Sequence, residues 1–151
     1  MARIDYAAIT EAIAAVITSD PNVRKARATV DIAKPAPIGI GMMPFIGVYE
    51  KTWTAQGVGQ ALAGGTRNRQ RIRWDIWVVV FSAAGYRDAA GQRDDLLGHV
   101  QVALMANRNL NGTLSDHSLD FVSGELRSGP FETGLLAEGS IGITAEETAT
   151  T

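Results

Sequence analysis

The chain lacks cysteine altogether, which excludes disulfides, thiolate metal sites and cysteine nucleophiles. Histidine is almost as scarce, with only His99 and His117. Two histidines without cysteine are thin material for a zinc site. A hydrolytic triad also needs a histidine within reach of an activated nucleophile, and no serine sits in a G-x-S-x-G elbow. Long apolar runs are missing too. The strongest, Ile76 to Phe81, is far too short to cross a bilayer as a helix. The opening Met1-Ala2-Arg3-Ile4-Asp5-Tyr6 has an early acid and no continuous apolar stretch, so no signal peptide is expected. These absences predict a soluble, cytoplasmic, non-catalytic protein without cofactor or metal and without a membrane partner.

Basic residues nearly vanish after Arg108. Residues 1–110 hold 13 of the 14 Lys/Arg and 9 of the 16 acids, a balance of +4, whereas residues 111–151 hold Arg127 against seven acids, a balance of −6. The net charge of −2 exerts no global pull toward nucleic acid. The asymmetry has two readings: an acidic face of one subunit meeting a basic face of a neighbour, or a basic body with an acidic, solvated tail.

What is present is ordinary for a folded protein, at 151 residues, 46% hydrophobic and 20% charged. That length suits one domain with a real core. Tyr6, Ile9, Ile13, Val16 and Ile17 recur at helical spacing, with Asp5 placed to cap the helix and Asp20-Pro21 to stop it near Ser19. Val23 to Ile32 alternates like a strand, and a Pro/Gly-rich loop follows from Lys34 to Gly41. Phe45 to Trp53 reads as a second strand, and Ala55 to Gly65 as a mobile glycine-rich excursion. A third strand spans about Gln70 to Ser82; its first part alternates, and its second part is apolar on both faces. A second helix covers about Tyr86 to Arg108, burying Leu96, Leu97, Val100, Ala103 and Leu104, and Asn107 to Gly112 ends it. Weaker strand signals occupy Ser118 to Leu126 and Ser140 to Ala145. The expected fold is α+β: one sheet of four to five mainly antiparallel strands on two helices. Residues 1–145 form the domain, and residues 146–151 are expected to fray.

Motifs for chemistry fail on inspection. Gly57-Val58-Gly59-Gln60-Ala61-Leu62 begins like a dinucleotide fingerprint, but Leu62 stands where the third glycine belongs. Gly59 to Thr66 nearly matches a phosphate loop, yet Gly65 occupies the lysine position, and an arginine-rich strand follows where a helix is required. Asp95 and His99 are one helical turn apart and read as a surface pair; Asp94-Asp95 reads as an exposed turn rather than a carboxylate dyad. Asn111-Gly112-Thr113 is a turn. The pattern with purpose is Arg67, Arg69, Arg71 and Arg73, which alternate and would form a cationic ladder on one strand face. Three readings stay open: acidic patches on a partner protein, solubility of an edge strand, or nucleic-acid phosphates. With Gly57, Gly59, Gly64 and Gly65 before it, the ladder is the candidate assembly interface, its loop an arm that orders on assembly.

The order of elements resembles the tail terminator (tail completion) proteins of long-tailed bacteriophages, including the family of Mu-like phages. The matching run is the helix Tyr6–Ile17, the strand Pro44-Phe45-Ile46-Gly47-Val48-Tyr49, and the glycine- and arginine-rich connection into Asp75-Ile76-Trp77-Val78-Val79-Val80. It continues through Gly85-Tyr86-Arg87-Asp88 into Leu96 to Leu104 and the Asn109-Leu110-Asn111-Gly112 turn, about residues 4–145 in all. The resemblance implies a virion protein of the tail neck, assembled in the host cytoplasm. It implies a homo-oligomeric, hexameric ring that caps the head-proximal end of the tail tube, ends its polymerisation and meets the head connector or stopper, with phage DNA near its lumen. A head–tail adaptor or stopper is the alternative within the neck, and a nucleic-acid-binding module using the arginines is the alternative outside it. The family has no residue motif, so no position is carried over. Ring closure requires a heterologous interface.

Overall fold

The computed structural model describes residues 7–32, 43–57, 69–84, 86–114, 119–131 and 134–150. Helix α1 (Ala7–Ser19) buries Ile9, Ile13, Val16 and Ile17, the stripe expected from the helical period. Asp20 then ends one helix and starts another. Its carboxylate accepts the Asn22 and Val23 amides, each at 3.0 Å, and Pro21 occupies the first position of the short helix α2 (Pro21–Lys25). The strand expected from Val23 is therefore wrong in its first half. Val23 is a buried helical residue, and only Thr29–Asp31 form strand β1. Local capping outweighs the alternation of Val23 to Ile32. Arg27 turns the chain between the two in a left-handed conformation, φ 56°.

Strands β2 (Phe45–Gly57) and β3 (Arg69–Ala84) form a long antiparallel hairpin, helix α3 spans Tyr86–Ala106, and β4 (Asp120–Phe131) and β5 (Gly134–Thr150) form a second hairpin. The sheet order is β1-β2-β3-β5-β4, with β1 parallel to β2 and every other pair antiparallel. The α+β class and the five strands agree with expectation; the short α2 makes a third helix besides the two expected. Residues 146–150 differ from the expected frayed tail. They continue β5 and pair in register with β3, Glu146 opposite Arg73 and Thr150 opposite Arg69, because the ladder satisfies backbone groups that a free tail would leave to water.

One face of the sheet carries the helices. Ile46, Val48, Ile72, Trp74, Ile76, Val78, Ile141 and Ile143 pack there against α1 and α3, whose Leu96, Val100 and Leu104 are all buried. Leu97, expected in the same stripe, is only partly buried. The turn after α3 adds core residues that no periodicity announces: Leu110, Leu114 and Leu119 are at most 2% exposed. Leu110, Asn111 and Gly112 all adopt positive φ there, which folds the turn back on the core. Arg108 closes it, donating from Nε and Nη2 to the Leu119 carbonyl at 3.1 and 2.8 Å.

Arg93 is the one buried cation among the described residues, 7% exposed. It passes beside Gly139, where a Cβ would come within 3.2 Å of its side chain. It donates to the Arg127 carbonyl at 3.1 Å and pairs with Asp94 at 2.9 Å. α3 is thereby tied across β5 to the edge strand β4.

Candidate assembly surface

The opposite face of the sheet has no helix on it among the described elements. Strand alternation sends Phe45, Val79 and Phe81 there as a second, smaller apolar cluster flanked by Tyr49, Trp77 and Leu136. This explains why β3 is apolar on both sides in its second half: Val78 and Val80 serve the helix face, Val79 and Phe81 the other. Phe45 and Phe81 are cross-strand partners with ring centroids 6.2 Å apart, within aromatic contact range.

Toward the far end of the strands this face turns polar. Trp77 lies opposite Gly142, where an added Cβ would come within 2.9 Å of the Ser123 carbonyl oxygen, and Lys51 holds its Nζ 5.1 Å from the indole centroid. A shallow groove of about 230 Å³ on one side of that pair is lined by Thr52, Asp75, Ser123 and Thr144. A groove of about 330 Å³ on the other is lined by Tyr49, Glu125, Arg127 and Glu138. Thr52 donates to Asp75 at 2.9 Å, and Arg73 lies 3.7 Å from the same carboxylate. The Tyr49 hydroxyl titrates above its ordinary value, through burial first and the Glu138 carboxylate second. Burial alone raises the Glu50 carboxyl.

Arg71 and Arg73 stand exposed on this face, at the start of β3. Arg69 lies in the strand at register with Thr150. Arg67, Gly59, Gly64 and Gly65 lie outside the described residues, as does Asp5, while Gly57 is the last residue of β2. β2 continues through Ala55 and Gln56, so the first part of the expected mobile excursion is regular strand. The ladder is not a purely cationic surface. β5 brings Glu146 opposite Arg73, and Asp75 is the next residue on the same face of β3. The acidic third and the basic body, separate along the chain, meet in the fold, Glu146 beside Arg73 in the sheet and Asp120 paired with Arg108 at 3.0 Å; within the acidic third Arg127 lies opposite Glu138 and pairs with Glu125 at 2.6 Å.

Asp95 and His99 line a polar cleft of about 560 Å³ between α2 and α3 with Lys25 and Asp88. No group of three or more His, Asp or Glu residues among those described is placed to hold a metal ion, and no helix described is long and apolar enough to cross a membrane. The residues missed by sequence reasoning are Tyr49, Lys51, Trp77 and Glu138. Their signal was weak but present: Phe45, Tyr49 and Trp77 alternate with Ile46, Val48, Ile76 and Val78, so both sheet faces bear large apolar groups.

Neither a scan against protein-family models nor a search of curated proteins returns a match. Among solved structures the chain is similar to the sheath/tube terminator of an extracellular contractile injection system, PVC, in its extended state, determined by cryo-EM. The TM-score is 0.54 at 13% identity, and 97% of this chain is covered. The chain spans 58% of that structure's length. The likeness reaches the terminator fold and does not extend to the family of Mu-like phages. The chain thus shares its fold with a protein that terminates the tube and sheath of a contractile injection system.

Proposed function

We propose that this chain is a non-catalytic structural subunit that assembles with copies of itself into a ring, hexameric in its simplest form, on the end of a phage-like tail tube. The ring ends tube polymerisation at the head-proximal side and offers its outer surface to a head connector or stopper, which places it in the virion neck. The observation that carries this reading is the shared fold with a sheath/tube terminator over 97% of the chain. The helix-free sheet face supports it: apolar, aromatic and charged groups meet there in shallow grooves that suit protein contact better than enclosure of a small ligand.

Native mass spectrometry and negative-stain imaging, alone and with tube subunits, test the reading. Closed rings seated on tube ends are expected. A chain that stays strictly monomeric in both settings sinks it. Imaging on assembled tails also separates the terminator from a stopper, which would sit one station farther from the tube.

A further inference from the structure

Two long strand edges have no neighbouring strand among the described residues. β4 is the last strand of the sheet, so one side of its 12 residues faces outward. At the other end, β1 covers β2 only from Phe45 to Gly47, and beyond Gly47 no further strand pairs with the outer side of β2 among the described residues. At about 3.3 Å per residue each edge runs roughly 30–40 Å. Such edges are normally kept short or blunted by lysine and proline, because they recruit other strands. β4 carries its proline, Pro130, only next to its end and exposes Val122 and Leu126, 64% and 61% accessible, along the stretch before it, while β2 carries Lys51 at a bulge between Glu50 and Thr52. Its bulge lies between Phe121 and Gly124, and the ladder is regular from there to Phe131.

The strand directions make these edges a matched pair. β2 and β5 run one way, β3 and β4 the other. A rotation that sets a second copy beside the first, helices on the same side, brings β2 of the second against β4 of the first. The two are then antiparallel, and the alternation of the sheet continues unbroken across the junction. The contact joins two different edges, so it repeats head to tail, the type of contact from which a closed ring is built when the rotation between copies closes. Pairing β4 with β4 would stop at a dimer and leave β2 open. Exposed charges of both signs line the two edges, Asp120, Glu125 and Arg127 on β4 and Glu50 and Lys51 on β2, and a register that sets Lys51 beside Glu125 would pair opposite charges across the mixed contact.

We infer that the ring is built by strand addition, the outer edge of β4 of one copy pairing with β2 beyond Gly47 of the next. This rests on the ring reading above and names the interface within it. The cysteine-free chain permits a direct test. Lys51→Cys is combined in turn with Ser123→Cys, Glu125→Cys or Arg127→Cys, positions that line the grooves of the helix-free face. Mild oxidation is expected to link most chains of at least one double variant into a covalent ladder up to ring size, while each single variant stays unlinked. In parallel, Glu125→Lys or Lys51→Glu alone is expected to lower the ring fraction at least about tenfold, and an equimolar mixture of the two single variants, which sets opposite charges against each other only between copies, to restore it. Rings that none of the pairs cross-link and neither charge change weakens overturn the strand addition and leave the ring standing. A parent chain that is monomeric with and without tube subunits removes the ring and this interface together. Single-cysteine Glu125→Cys chains that link into dimers would replace the mixed contact with β4–β4 pairing.

Discussion

Gly124→Ala measures how tightly the edge strand is held. A methyl group built on Gly124 lies 2.0 Å from the Ser140 carbonyl oxygen and 3.1 Å from its carbon. Carbon and oxygen approach to about 3.3 Å even in close strand contacts, so β4 and β5 must part by more than about 1 Å there. Both colliding atoms belong to backbone, and no rotamer change relieves them. The separation pulls on the Glu125 amide bonded to Ser140 Oγ at 3.2 Å and on the ladder bonds beside it. With two or three bonds weakened at about 1 kcal/mol each, plus packing lost along the strand, the cost is about 2–4 kcal/mol. Total stability for a domain is about 5–15 kcal/mol, so the change is large. Gly129 is the control. It lies on the same strand with nothing within 4 Å of an added Cβ, and Gly129→Ala is expected to stay within about 0.5 kcal/mol of the parent. Urea unfolding followed by tryptophan fluorescence and far-UV circular dichroism gives both numbers. An alanine at 124 as harmless as one at 129 would refute the description of β4 as closely paired at that point.

Arg93→Ala is expected to cost about 2–4 kcal/mol in the same assay, since it removes buried side-chain packing and orphans the Arg127 carbonyl; Arg93→Met, which keeps the stem, should recover part of it. Gly98→Ala should stabilise by about 0.5–1 kcal/mol, because Gly98 is an exposed α3 position with nothing within 4 Å of the new methyl. Glu50 has a carboxyl raised above its ordinary 4.5 by burial, so the folded state favours its protonated form, and its contribution to stability falls as pH rises through that range. Glu50→Gln is therefore expected to gain a little stability at pH 7, with the gain vanishing below the ordinary carboxylate value; a gain that persists in acid would contradict the sign. Arg71→Ala with Arg73→Ala should leave the unfolding free energy within about 0.5 kcal/mol of the parent yet reduce capped tubes in a reconstitution assay. If the pair instead abolishes a steeply salt-dependent retention of DNA, the arginines serve nucleic acid.

Much of the architecture was legible because it is local. The α1 stripe from Ile9 to Ile17, the α3 stripe from Leu96 to Leu104, and the alternation around Arg71 to Ile76 each follow from a period of 3.6 or 2 within a dozen residues. The misreadings share a cause. Val23 alternates with its neighbours like a strand residue, but the Asp20 cap and Pro21 settle the helix. Glu146 and Glu147 look like a solvated tail, but strand β3, some 70 residues earlier along the ladder, supplies their backbone partners. Leu110, Leu114 and Leu119 enter the core through a turn with no period at all.

The sequence by itself determined the chemistry that is out of reach without cysteine or a histidine cluster, and it determined most of the elements, because composition and periodicity act on near neighbours. Only the tertiary structure decided that β3 lies between β2 and β5, that Arg73 faces Glu146, and that Trp77 meets Gly142 under Lys51. It also decided which strands stand at the edges. Sheet order and register are set by contacts between segments far apart in the chain, where loop closure and side-chain fit compete, and no window of neighbouring residues contains both partners.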